Sequence, residues 1–212
     1  MFTLSNVIPI PLKEQTIGHS EVWNTELNIP AGKKIFLSAP SGKGKTTFQL
    51  MLYGIRKDYD GIVKLDGTDI RTFDLNKWSE IRQNKLSIIF QDLRLFPDLS
   101  AMENIELKNN LTKHKSKDQI LQMAESLGVA GFLNKKAGIL SYGQRQRMAI
   151  IRAMCQPFEL LLMDEPFSHL DKENIEKACK LISSETEQNG AGYIIASLGD
   201  RYSLDYEQTV QL

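Results

Sequence analysis

Three short stretches of the chain carry residue types that act on phosphate, metal and water. The first is Ala39-Pro40-Ser41-Gly42-Lys43-Gly44-Lys45-Thr46. It fits the phosphate-loop pattern G-x-x-x-x-G-K-[ST] at every fixed position except the first, where Ala39 replaces glycine. Such a loop turns backbone N–H groups toward phosphate oxygens, and the helix after it aims its positive end at the same anion. Gly42 and Gly44 permit the close approach, Lys45 would reach the β- and γ-phosphates, and the Thr46 hydroxyl would ligate Mg2+. The alternative is a basic glycine-rich turn; the apolar Ile35-Phe36-Leu37 before it and the helical pattern after it weigh against that. Ala39 matters little if its φ is negative and is strained if a positive φ is required.

The second stretch is Leu160-Leu161-Leu162-Met163-Asp164-Glu165-Pro166. Four apolar residues ending in two carboxylates place the acids at the C-terminal edge of a buried strand, where open α/β sheets bind ligands. One carboxylate can hold Mg2+ through water while its neighbour activates an attacking water. Alone this pattern is weak; beside a phosphate loop it gains weight. The third stretch is Leu140-Ser141-Tyr142-Gly143-Gln144-Arg145-Gln146-Arg147. Ser141 and Gln144 have capping-box spacing, opening a helix whose apolar positions include Met148, Ile151 and Met154. A capped helix start with a glycine in its first turn is also an anion site, so the structural and functional readings hold together.

The elements that must position these residues alternate. The segment through Phe36, with Pro9, Pro11 and Pro30, reads as short strands, and Ile35-Phe36-Leu37 as a strand feeding the phosphate loop. Phe48, Leu50, Met51, Leu52 and Ile55 suit a helix with a broad apolar face. Asp60-Gly61 and Asp66-Gly67 read as turns bracketing a strand at Ile62-Val63-Lys64-Leu65. Leu86 to Phe90 is β-rich, followed by helical spacing over Met102–Leu111 and Asp118–Leu127, the latter stopped by Gly128. Buried strands return at Leu160–Met163 and Tyr193–Ala196, with a helix over Lys172–Gln188 between them. This is an α/β pattern with a mainly parallel sheet, and the helical middle reads as an insertion.

Composition narrows the classes. Lys+Arg and Asp+Glu are 26 each among 212 residues, so the strong overall positive field that nucleic acid or anionic lipid requires is missing, and any basic cluster must be local. Cys155 and Cys179 are too few for a disulfide scaffold and read as reduced thiols. The N-terminus has no signal-peptide pattern, and no apolar run approaches the ~20 residues that span a bilayer. The chain is expected to hold one domain and to end at Leu212 without room for an appended one.

The phosphate loop, Gln91 after a strand, Leu140-Ser141-Tyr142-Gly143-Gln144, the Asp164-Glu165 strand and Ser168-His169-Leu170-Asp171 occur in the order of an ATP-binding cassette (ABC) ATPase. The resemblance covers essentially the whole chain. Ile81-Arg82-Gln83-Asn84-Lys85-Leu86-Ser87-Ile88-Ile89-Phe90-Gln91, Leu95-Phe96-Pro97 and Glu103-Asn104 look most like the lipoprotein-releasing, macrolide-export and cell-division group. The resemblance implies a RecA-like P-loop NTPase core over 1–91 and 157–212, with an N-terminal antiparallel β portion. It also implies an inserted α-helical subdomain over 92–156, all in one ABC ATPase domain. It places nucleotide on Ala39 to Thr46, on Thr47 and on Gln91; Mg2+ on Thr46, Gln91 and Asp164; and catalysis on Glu165 as general base with Lys45 and Gln91. Ser141, Gly143 and Gln144 would contact the γ-phosphate of an ATP bound by a second, identical subunit, with Asp171 at the seam. Gln91 and the helices after it would couple ATP to transmembrane permease-like subunits at the cytoplasmic face of the inner (plasma) membrane. Membrane contact would run through those partners alone, with no nucleic acid bound.

The departures matter too. Tyr142 stands where the signature's first glycine is usual. The switch-histidine role counts to Leu198, or to Gly199 with a one-residue shift, in Ile195-Ala196-Ser197-Leu198-Gly199. The histidines are His19, His114 and His169, and His169 reads as a bystander in the Asp171 loop. No aromatic before the phosphate loop is placed to stack on adenine, and Trp23 reads as a core residue. These losses touch γ-phosphate contacts more than the nucleotide grip, and imply a slow ATPase energising a membrane transporter or machine. The alternative is an ATP-gated regulatory clamp on a membrane protein, without solute transport.

Overall fold

The computed structural model describes residues 1–13, 20–199 and 201–212, so His19 lies outside the described residues. Two sheets carry the chain. The first is antiparallel, in the order β2 (Glu26–Ile29), β1 (Phe2–Pro9), β4 (Tyr59–Leu65), β5 (Thr68–Asp69). The second runs β6 (Leu86–Ile89), β7 (Leu160–Asp164), β8 (Gly192–Ser197), β3 (Lys34–Ser38), β9 (Gln208–Gln211), and every pair in it is parallel. The strands of greatest sequence apolarity, β7 and β8, are buried at every position, as strands covered on both faces must be. Alternation then divides their side chains between two cores. Leu160, Leu162, Ile194 and Ala196 join the core shared with the antiparallel sheet, whereas Leu161, Met163, Tyr193 and Ile195 face the other.

That second core is closed by α3 (Ala101–Thr112), α4 (Lys117–Ser126), α5 (Tyr142–Met154) and α6 (Lys172–Gln188). Helices α3, α4 and α5 each open on a full capping box, made by Ser100 with Glu103, Ser116 with Gln119 and Ser141 with Gln144. On the first core lie α1 (Lys45–Leu52) and α2 (Leu75–Asn84). Both cysteines are free and buried, and burial pushes the Cys155 thiol up to about 12 and that of Cys179 to about 11, so both stay protonated and inert. Among the described residues, no helix is long and apolar enough to cross a membrane.

Several local expectations change. Asp60-Gly61 is no turn; both residues lie inside β4, where the pairing with β1 slips register between Ser5 and Ile8. Ile55 lies beyond the end of α1 and is exposed. Helix α2 and strand β9 are additional elements. Gly54 follows the end of α1 with a φ of 72°, and a Cβ there would sit 2.3 Å from the buried Trp78 ring. Gly54→Ala therefore combines left-handed strain with overpacking, about 3 kcal/mol together. The expected result is a melting temperature lower by roughly 10 °C, read by calorimetry.

Candidate nucleotide and metal site

Strand β3 lies inside the parallel sheet and delivers the chain to the phosphate loop at the strands' C-terminal edge. Ala39 is buried and is not among the described residues with positive φ, so the missing first glycine costs no backbone strain. Gly44 caps α1 with a φ of 97°, and the Leu12 and Trp23 side chains close over it, 2.9 and 3.1 Å from where a Cβ would be. Trp23 is buried, stands edge-on to Phe48 and donates from Nε1 to the Lys43 carbonyl at 3.3 Å, so it supports the loop from below. Lys45 is 6% exposed, and its Nζ donates to the carbonyls of Ala39 at 2.8 Å and Pro40 at 3.3 Å. Its ammonium lies 3.6 Å from Glu165 Oε1.

Around this lysine the other groups converge. A cavity of about 210 Å³ is lined by Leu12, the loop glycines Gly42 and Gly44, Ser41, Lys45, Thr46, Thr47, Gln91 and Glu165. Thr46 Oγ1 donates to Gln91 Oε1 at 3.4 Å. Both residues also line a neighbouring cleft of about 370 Å³ that reaches Asp164 and Tyr142. Asp164 is 3% exposed, and its Oδ1 has no hydrogen-bond partner among the described residues. Burial holds its carboxyl above the usual range and the Glu165 charge pushes the same way, while Thr46 and Lys45 draw it down. A hydroxyl, an amide oxygen and a buried carboxylate with an unshared lone pair are hard oxygen donors, and they fit Mg2+. Among the described residues no three His, Cys, Asp or Glu side chains gather as a metal site. One carboxylate completed by water and phosphate oxygens is a normal Mg2+ setting. Glu165 has a left-handed φ of 47°, fixed by its N–H bonding the Ala196 carbonyl at 3.0 Å. A non-glycine residue held so is strained by roughly 1–2 kcal/mol, and such positions cluster at active sites and ligand clamps.

Ser141, Gly143 and Gln144 do not line this cavity. They form the start of α5, where Ser141 Oγ accepts from Gln144 N at 3.2 Å and Gln144 Oε1 accepts from Ser141 N at 2.9 Å. Tyr142 turns toward its own chain: its hydroxyl donates to the Gln91 carbonyl at 2.9 Å, and its ring packs against His169 with centroids 4.1 Å apart and planes tilted by 43°. His169 is thus a packing partner of Tyr142, a role its place in the sequence does not signal. Leu198 follows the last residue of β8 and is 59% exposed. Gln49 and Arg152 also escape the motif reading. Gln49 Nε2 donates to the Met163 carbonyl at 2.6 Å, tying α1 to β7 below Asp164.

Behind the cleft, cations crowd the buried Tyr53. Arg82 stands 5.3 Å from its ring and donates to the Tyr53 and Gly54 carbonyls, while Lys108 Nζ lies 3.5 Å from its hydroxyl. Burial, then Arg152 and Arg82, push Lys108 down to about 8. A base whose pKa falls on folding from 10.5 to about 8 destabilises fully below pH 8, and the penalty fades as pH rises toward 10.5. Lys108→Met should therefore stabilise the chain by about 2 kcal/mol at pH 7, after discounting residual exposure. Thermal melts across this range should find the gap to the parent closing as the solution becomes alkaline.

Fold and site together define a P-loop nucleotide-binding ATPase cassette of RecA-like α/β type. A family profile described as ABC transporter matches residues 22–168. The lipoprotein-releasing system ATP-binding protein LolD of Buchnera aphidicola is 32% identical over 81% of this chain and 76% of its own length. The uncharacterized ABC transporter ATP-binding protein MJ0796 of Methanocaldococcus jannaschii is 32% identical over 82% of this chain and 77% of its own. Its dimeric cassette structure superposes with a TM-score of 0.80 at 29% identity, covering 93% of this chain and 88% of that one. A second structure of that cassette, a post-hydrolysis state bound to ADP and Pi, matches with a TM-score of 0.78 at 30% identity, over 94% of this chain and 88% of that one. An uncharacterized ABC transporter ATP-binding protein of Mycobacterium tuberculosis is 35% identical over 74% of this chain, which spans 48% of that relative's length. The chain belongs to the ABC transporter family.

Proposed function

We propose that this chain is an energising subunit of a membrane transporter or membrane machine, built as one ABC ATPase domain with residues 92–156 as an inserted helical subdomain. The observation that carries the reading is the convergence of Lys45, Thr46, Gln91, Asp164 and Glu165 on adjoining cavities at the strand ends. Lys45 would leave the Ala39 and Pro40 carbonyls for the β- and γ-phosphates, while the loop from Ala39 to Thr47 wraps the anion. Thr46, Gln91 and Asp164 would hold Mg2+, which neutralises developing phosphate charge. Glu165 would take the proton of the attacking water. Ser141, Gly143 and Gln144, which do not line their own chain's cavity, would complete the site of a second identical copy, so that two chains enclose two ATP molecules. Membrane attachment would come through transmembrane partners, at the cytoplasmic face of the inner (plasma) membrane.

A second reading, an ATP-gated clamp that signals to a membrane protein without moving solute, is favoured by one observation. An exposed leucine, Leu198, stands beside the Glu165 strand where a proton-bearing side chain would assist the γ-phosphate. In either reading hydrolysis is slow. Copurification with a multi-span membrane protein, followed by ATP-dependent flux in proteoliposomes, is the test. Flux supports the first reading, a partner without flux the second, and a chain that stays monomeric in Mg-ATP and finds no partner refutes both.

A further inference from the structure

The Gln91 loop is bent against its own preference and gripped at two points by a single helix. Leu93 and Arg94, consecutive and neither of them glycine, have φ values of 60° and 47°. Inside the loop Leu93 N–H reaches the Phe90 carbonyl at 3.0 Å and Arg94 N–H the Asp92 carbonyl at 2.7 Å. From outside, the Arg152 guanidinium donates to the Leu93 carbonyl at 2.5 Å and the Arg94 carbonyl at 2.6 Å. The Tyr142 hydroxyl donates to the Gln91 carbonyl at 2.9 Å. Tyr142 and Arg152 stand at opposite ends of α5, about 15 Å apart along its axis at the usual rise per residue. The Tyr142 ring cannot drift from this aim. His169 covers it at 4.1 Å, Arg145 lies 5.2 Å from its centroid, and Gly143 leaves only 3.1 Å between its would-be Cβ and the His169 carbonyl.

We propose that Tyr142 is a positioning residue for ATP hydrolysis, latching the start of α5 to Gln91 of the same chain. The hydroxyl fixes the Gln91 backbone, and through it the side-chain oxygen that meets Thr46 at 3.4 Å. A rigid α5 then carries two duties on adjacent residues. Tyr142 holds the chain's own Gln91, while Ser141 and Gly143 are offered to the nucleotide of the other copy. This rests on the reading of Gln91 as a metal-side ligand.

Tyr142→Phe keeps the ring on His169 and removes only the hydroxyl. In the full chain without nucleotide, hydrogen exchange at the Leu93 and Arg94 amides should accelerate about fivefold, as the loss of one ordinary hydrogen bond allows. Exchange in α1 and β7 should not change. With a non-hydrolysable ATP analogue bound, Mn2+ affinity read by electron paramagnetic resonance should weaken by about the same factor. Unchanged exchange at 93 and 94 overturns the latch. Faster exchange with unaltered Mn2+ affinity overturns the positioning role. Gln91→Ala measured alongside separates the two sources of failure, because a silent Gln91→Ala places the fault in the metal-site reading and leaves exchange to judge the latch.

Discussion

Lys45→Ala is expected to remove ATP hydrolysis to background and to weaken binding of a fluorescent ATP analogue by at least ~10²-fold. The size follows from what the ammonium faces. It is buried, donates to two loop carbonyls, and lies 3.6 Å from Glu165. On the proposed reading it would meet phosphate charge there, in a setting where charge-assisted hydrogen bonds are stronger than in water. Removing one such donor at a transition state typically costs roughly 10²–10³-fold. The same truncation strips a donor from the Ala39 and Pro40 carbonyls and leaves Glu165 without its cation, so a moderate fall in stability accompanies it. Melts of the apo chain tell the two effects apart. A folded variant that still binds the analogue within tenfold of the parent would refute the assignment of this cavity to nucleotide.

What the sequence discloses here is chemistry confined to a few neighbouring residues, and what it conceals is direction. The phosphate loop and the Asp164-Glu165 pair are local, since spacing along the chain alone places them on one strand end each. Strands β7 and β8 are legible for a related reason, being apolar at nearly every position. Helix α2 is concealed because its inward face is thin: only Trp78 and Ile81 are buried in ten residues. Strand β9 buries Val210 alone, and its polar neighbours mimic a loop. Asp60-Gly61 imitates a turn because a slipped register inside a strand also suits glycine. Tyr142 is the sharpest case. Its identity marks a departure from the family pattern, yet where its hydroxyl points depends on Gln91 and His169, both distant along the chain. No local pattern carries that information.

Glu165→Gln separates a catalytic cassette from a nucleotide-gated clamp. Glu165 directly follows the C-terminal end of β7, with its side chain 19% exposed and its backbone N–H anchored on the carbonyl of Ala196 in β8. Glutamine preserves the length, the left-handed backbone and its strain, so the fold and the nucleotide grip should survive. Basicity is lost together with the charge that faces Lys45 at 3.6 Å, and a positioned general base is commonly worth roughly 10²–10⁴-fold. The parent carries no proton-bearing group at Leu198, so on the proposed reading its own rate is expected to be low. The ratio of parent to variant is therefore the informative quantity, measured at saturating Mg-ATP with the membrane partner present. A fall of ~10² or more, with Mg-ATP-driven dimers that persist longer than those of the parent, is the expected result and identifies Glu165 as the base. Equal rates at background with dimers intact would mean that ATP is bound and not spent, and that its arrival is the signal.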